Sequence, residues 1–149
     1  MTILITSDKF NAYKNEGFNF IPLVKSFDVG LETPLSIYQK LANLPFSYLL
    51  ESVEGGERFG RYSIIGLPAK KRIVIRNDVI EVVDQNKVIQ KETSQNPLDF
   101  IQAYLSQFKV PHDLELPRFA GGLAGYFGYE TIQYIESRLK HKNIKDTLG

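Results

Sequence analysis

The chain lacks cysteine altogether and has only two histidines, His112 and His141, among its 149 residues. Without thiols there is no disulfide framework, no thiolate zinc site, no iron–sulfur cluster and no cysteine nucleophile. The two histidines lie in unrelated segments, and each reads as a surface residue rather than a ligand. A charge excess is missing as well: 18 Lys and Arg against 17 Asp and Glu leave a net charge of +1. Dedicated nucleic-acid binders carry a basic excess on one face, so no nucleic-acid partner is expected. No stretch approaches the roughly 20 apolar residues of a membrane helix, and the first ten residues lack a basic start and a secretory apolar core. No membrane association is expected. The cysteine-free composition fits a reducing, cytoplasmic location.

What is present is the balance of a soluble globular protein, 43% hydrophobic and 23% charged. A chain of this length can bury about 70% of its unfolded surface and needs no metal or disulfide to hold together. One domain spanning 1–149 is expected. Thr6 or Ser7 caps a short helix over 6–17, with Phe10 and Tyr13 on one face and Gly17 at the left-handed exit. The segment 18–27 alternates loosely, and Pro22 makes it an edge strand or an irregular extended run. Thr33-Pro34 is a cap followed by a proline at the first helical position, predicting a helix over 34–43 with Leu35, Tyr38 and Leu41 on one face. Strands are predicted at 46–53, 61–66, 72–76, 79–83 and 88–90. Turns fall at Gly55-Gly56, Asn77-Asp78 and Asp84-Gln85-Asn86, a β-meander signature. Asn96-Pro97 repeats the cap-plus-proline device. Phe100, Ile101, Tyr104, Leu105 and Phe108 then form a stripe of helical period over 97–109. An extended, glycine-rich run follows at 118–129, then a helix over 130–140. The fold class is α+β, an antiparallel β-sheet with helices packed on one face.

Few residues suggest chemistry. Gly122, Gly125 and Gly128 are spaced by three, with neither the order of a dinucleotide fingerprint nor a P-loop Lys-Ser/Thr. Their structural reading, close backbone packing, is favoured over phosphate binding. No serine sits in a nucleophile elbow, and no complete active site is visible. The run from Phe46 to Glu54 carries the most information. Strand alternation puts Phe46, Tyr48, Leu50 and Ser52 on one face and Ser47, Leu49, Glu51 and Val53 on the other. Ser52 is either a strand end emerging into water or a polar group at the rim of an apolar slot. Spacing alone favours the first.

Three segments together resemble a known family. They are Leu49-Leu50-Glu51-Ser52 with the following Gly55-Gly56-Glu57-Arg58-Phe59-Gly60-Arg61-Tyr62-Ser63-Ile64-Ile65-Gly66, the run from Leu31 to Leu41, and Phe119-Ala120-Gly121-Gly122-Leu123-Ala124-Gly125-Tyr126-Phe127-Gly128-Tyr129-Glu130. In order across residues 18–136, they resemble the N-terminal region of anthranilate synthase component I, a chorismate-utilising enzyme. The resemblance implies that the full-length protein is a lyase converting chorismate and ammonia to anthranilate and pyruvate, in tryptophan biosynthesis. It implies a glutamine amidotransferase subunit (component II) as partner, supplying the ammonia. The chorismate and Mg²⁺ ligands would lie in a C-terminal catalytic domain outside these residues. No catalytic residue, metal or cofactor is then expected in 1–149 itself.

The family's N-terminal region supplies part of a feedback site for L-tryptophan, and that role falls on Ser52, with Glu51 and Arg61 at neighbouring positions. An amino-acid ligand needs acceptors for its ammonium and apolar cover for its ring, which Tyr48 or Leu50 can give. Glu51 and Ser52 point to opposite faces of an ideal strand. Ser52 therefore ranks first, and Glu51 joins it only through a bulge or a backbone contact. Inhibition would be a coupling between this portion and its own C-terminal catalytic domain, and separation from that domain would leave an apolar patch exposed. Two other readings stand beside this one: component I of aminodeoxychorismate synthase, in the folate pathway, and a stand-alone amino-acid-binding or interaction module.

Overall fold

Local signals decide where each helix starts in the computed structural model, which describes residues 2–3, 5–52, 62–117 and 119–139. Its contacts divide the chain into two units. The first comprises Met1–Phe27, Ile75–Ile80 and Thr93–Gly149; the second comprises Asp28–Val74 and Glu81–Glu92.

The first unit opens with β1 (Thr2–Ile3), which pairs antiparallel with β2 (Lys25–Ser26). Helix α1 (Ser7–Asn15) begins where the Thr6 hydroxyl accepts from the Lys9 amide at 3.3 Å. It ends with Gly17 at φ +88°, the left-handed exit that glycine adopts without steric cost. Tyr13 is buried and meets Phe18 edge-on at 5.6 Å. The predicted extended run 18–27 carries only the two residues of β2. Asn19 is held elsewhere, its side chain donating to the Gln107 carbonyl and accepting from the Lys109 amide, both at 2.7 Å. Helix α3 (Pro97–Ser106) starts at Asn96, whose side chain accepts from the Leu98 amide at 3.3 Å. Its stripe is aromatic: Phe100 stacks on Tyr104 at 6.0 Å, Tyr104 meets Phe108 at 5.5 Å, and Phe108 meets Phe20 at 5.6 Å.

Residues 119–128 lie in no helix or strand, with bends at Gly121 and Gly122. One expectation fails in this unit. The helix predicted over 130–140 is broken into a 3₁₀ turn at Tyr129–Thr131, a single turn α4 (Ile132–Ile135), and a second 3₁₀ turn at Ser137–Leu139. The apolar spacing of Ile132, Ile135 and Leu139 was present, but a cap was not. Neither Gly128 nor Thr131 offers a side-chain bond to the first amides, and Glu136 is extended. An uncapped helix one turn long has no favourable propagation to offset its nucleation cost.

The second unit carries α2 (Pro34–Leu41), begun by a reciprocal capping box. The Thr33 hydroxyl accepts from the Ser36 amide at 3.1 Å, and the Ser36 hydroxyl accepts from the Thr33 amide at 3.0 Å. Its covered side is the expected one only at Tyr38. Ile37 and Tyr38 are half-buried, whereas Leu35 and Leu41 are 52% and 64% exposed. Strands β3 (Tyr48–Glu51) and β4 (Ser63–Gly66) form a two-stranded antiparallel sheet. The meander appears as predicted, in the order β5 (Lys71–Arg76), β6 (Val79–Asp84), β7 (Lys87–Thr93), with residues 75–80 and Thr93 belonging to the first unit. Its tight turns place Asn77 at φ +53°, Gln85 at +46° and Asn86 at +66°, conformations that short polar side chains tolerate. Central strand β6 buries Ile80, Val82 and Val83, while every residue of edge strand β7 is exposed. The α+β class holds, with the antiparallel strands distributed over three small sheets rather than one.

Candidate functional site

The β3–β4 pair positions the residues singled out by sequence. Its register sets Tyr48 opposite Gly66, Leu49 opposite Ile65, Leu50 opposite Ile64 and Glu51 opposite Ser63. Continued by one step, that register brings Ser52 level with Tyr62. Ser52 is exposed and lies one residue beyond the end of β3. Alternation gives one row of Tyr48, Leu50 and Ser52 faced by Gly66, Ile64 and Tyr62. The opposite row holds Leu49 and Glu51, faced by Ile65 and Ser63. Ser63 donates to the Glu51 carboxylate at 3.4 Å. Glu51 and Ser52 are therefore adjacent in the chain but assigned to different faces. Arg61 and the Gly55-Gly56 turn lie outside the described residues.

Helix α2 packs on both strands, and the Tyr38 hydroxyl reaches the Ser47 hydroxyl at 3.0 Å. Both rows are mixed: Tyr48 and Ile64 in the Ser52 row and Leu49 and Ile65 in the other are half-buried, whereas Leu50 and Tyr62 in the first and Glu51 and Ser63 in the second are exposed. The Ser52 row is apolar in the middle, aromatic at both ends and polar at one edge. Because β3 and β4 pair only with each other among the described residues, each also keeps an outer edge of main-chain donors and acceptors.

Phe46 does not join this row. The strand predicted to start there begins at Tyr48 instead, because Phe46 takes φ +65°, a left-handed conformation that interrupts a strand. Its carbonyl accepts from the Ala69 amide at 3.0 Å, and the Arg72 guanidinium sits 3.5 Å from its ring centroid, a cation–π contact. The same guanidinium donates to the Asn86 side chain at 3.2 Å.

Sequence reasoning missed one pairing. A Cβ built on Gly66 would fall within the edge of the Tyr48 ring, at Cε1, Cζ and Cδ1. The ring therefore lies across β4 where only glycine leaves room. The glycine was visible in the Gly60-to-Gly66 motif. Its cross-strand partner was not, since register depends on the turn between the strands.

A separate concavity lies inside the first unit. It is a cavity of about 270 Å³ lined by Ile5, Pro22, Val24 and Leu116 among others, with Lys9 and Asp113 as polar members. The Tyr13 hydroxyl donates to both Asp113 oxygens at 2.7 Å, and the Lys9 ammonium lies 3.4 Å from the same carboxylate. The Tyr13 bond, with the Lys9 charge behind it, holds the Asp113 carboxyl below the usual range. Burial, then the Asp113 bond, pushes the Tyr13 hydroxyl up. The charges here satisfy one another, which makes this an anchor for α1 rather than a catalytic group. Among the described residues, no buried side-chain polar atom lacks a partner. None of the described His, Asp and Glu side chains group in threes to hold a metal ion. No described helix is long and apolar enough to cross a membrane.

The open two-stranded sheet, with its mixed apolar and polar row, defines an α+β domain bearing a candidate small-ligand surface. No family model matches the chain, and no solved structure does. Curated proteins do. The chain is 46% identical over 149 residues to "Anthranilate synthase component 1" of Neisseria meningitidis serogroup B, covering 98% of this chain and 30% of that protein. Identity is 47% to the protein of the same name from Neisseria gonorrhoeae, with the same coverage. It is 42% over 142 residues to that of Pseudomonas aeruginosa, covering 95% of this chain and 29% of that protein. The chain is therefore a homologue of anthranilate synthase component 1 over a region that makes up about 30% of the length of these relatives.

Proposed function

We propose that this chain is the N-terminal, tryptophan-sensing portion of an anthranilate synthase component 1. In this reading the whole protein is a cytoplasmic lyase of tryptophan biosynthesis. It converts chorismate and ammonia to anthranilate and pyruvate, with ammonia supplied by a glutamine amidotransferase component II. The chemistry and the Mg²⁺ ligands belong to a C-terminal catalytic domain, and residues 1–149 are regulatory and inactive alone. The observation that carries the reading is identity of 42–47% across nearly the whole chain to proteins of that name.

The Ser52 row has the right chemistry for a free amino acid. The Ser52 hydroxyl and the carbonyls at the outer edge of β3 accept from the ammonium. Leu50 and Ile64 form an apolar floor for the ring. Glu51 adds negative potential from the opposite row or acts through its backbone, and Arg61 is the candidate for the carboxylate. Each unit exposes large side chains that the catalytic domain would cover, Leu31 at 104% in the second and Tyr126 and Tyr129 at 91% and 90% in the first. Tryptophan inhibits by binding the inactive arrangement of the two portions more tightly than the active one.

The test is Ser52→Leu in the full-length enzyme. A hydrogen bond to a charged group is worth about 1.5–3 kcal/mol. Its loss, with a bulky side chain in the slot, should weaken tryptophan inhibition roughly ten- to hundredfold while uninhibited turnover is retained. Unchanged inhibition would remove Ser52 from the site.

A further inference from the structure

We infer that Phe46 and Arg72 form a conformational latch: Phe46 stands in a turn position suited to glycine, and the Arg72 guanidinium on its ring holds that turn and so fixes where β3 begins. The chain from Leu44 to Ser47 has the pattern of a type II turn. Pro45 stands second, where its fixed φ is favoured, and Phe46 stands third with φ +65°. That third place requires a positive φ and ordinarily takes glycine. A residue with a Cβ opposes the left-handed conformation by about five- to thirtyfold in equilibrium terms. Such strain persists only where the surroundings over-determine it.

The surroundings do so on both sides. Pro45 has a ring-locked φ. The Ser47 hydroxyl donates to the Leu44 carbonyl at 2.7 Å and meets the Tyr38 hydroxyl at 3.0 Å. These local ties leave Phe46 as the residue that must turn the chain. The rest of the hold comes from further along the sequence. The Ala69 amide donates to the Phe46 carbonyl at 3.0 Å. The Arg72 guanidinium lies 3.5 Å from the ring centroid and donates to the Asn86 side chain at 3.2 Å. Asn86 is itself placed by its turn, where the Gln85 amide donates to the Lys70 carbonyl at 3.0 Å. An exposed cation–π contact is worth about two- to fivefold, no more than the lower end of the strain. The latch is therefore close to balance. When Arg72 lets go, Phe46 returns to negative φ, the Ala69 bond breaks and β3 loses its fixed entry. A glycine at 46 would hold the same turn unaided; the phenylalanine makes the turn depend on Arg72.

The experiment is hydrogen exchange by mass spectrometry on the full-length protein, reading segments 47–51 and 67–70 with 79–84 as the reference. Arg72→Met keeps an apolar stem and removes the charge. It should lower protection of the first two segments by about two- to fivefold and leave the reference unchanged. Phe46→Ala removes the ring, keeps the Cβ and should do the same. Phe46→Gly removes more of the side chain, yet should restore wild-type protection, because the strain leaves with the Cβ. In the Phe46→Gly background, Arg72→Met should have no effect on these segments. Protection in Phe46→Gly as low as in Phe46→Ala overturns the inference, since the turn then carries no strain. So does an effect of Arg72→Met that is absent in the wild type or equal in both backgrounds. An equal fall at 79–84 would make Arg72 a structural residue of the strands and overturn it as well.

Discussion

Truncating Ile80 tests whether the meander carries the core that its burial pattern assigns to it. Ile80 is 1% exposed on β6, the central strand, whereas Ile89 on edge strand β7 is 57% exposed. Ile80→Ala removes three carbons from a filled site. At about 0.8 kcal/mol per buried methylene, the transfer loss alone is roughly 2.4 kcal/mol. The cavity left behind raises the expected cost to about 2–5 kcal/mol, and Ile80→Val should cost about 0.5–1.5 kcal/mol. For a domain of this size each kcal/mol moves Tm by roughly 2–4 °C, which makes Ile80→Ala a shift of roughly 4–20 °C. Ile89→Ala removes the same three carbons from an exposed site and should stay within about 0.5 kcal/mol. Thermal melts by circular dichroism and urea midpoints at constant m-value read both variants. A cost at Ile89 equal to that at Ile80 would mean that the outer strand is covered, and the burial argument for β6 would fail. A negligible cost at both would show that β6 is not core.

Thr33→Ala removes the hydroxyl that accepts from the Ser36 amide and should cost about 1 kcal/mol, read as a lower urea midpoint; no change would mean that α2 is held by packing alone. The Asp113 anchor should be sensitive to acid. Its carboxyl is held low in the folded state, so its contribution is present above the unfolded value near about 4 and is lost as pH falls through the lower folded value. The protection factors of the α1 amides, corrected for the intrinsic pH dependence of exchange, should therefore fall on the acid side, and Tyr13→Phe should flatten that dependence; identical profiles would remove Tyr13 as the cause. Residues 1–149 in isolation should self-associate with rising concentration through exposed Leu31, Tyr126 and Tyr129. A monodisperse monomer by light scattering at high concentration would contradict this.

The features that could be read from the chain are those whose cause lies within four residues. Thr33-Pro34 and Asn96-Pro97 announce their helices because cap, proline and first amides are neighbours, and both caps form. The meander turns are legible for the same reason. The helix over 130–140 misled because its apolar spacing was complete and its cap was not; periodicity describes a face but does not start a helix. Leu35 and Leu41 misled in another way. They share a helical face, but which face is covered depends on where β3 and β4 lie, a long-range fact. The candidate site has the same split. A serine at a strand end looks like a solvated terminus from spacing alone, and the structure leaves Ser52 exposed just beyond β3. Gly66 and Ile64 enter the row only through the register of β3 on β4. One residue of slip would move both to the other face.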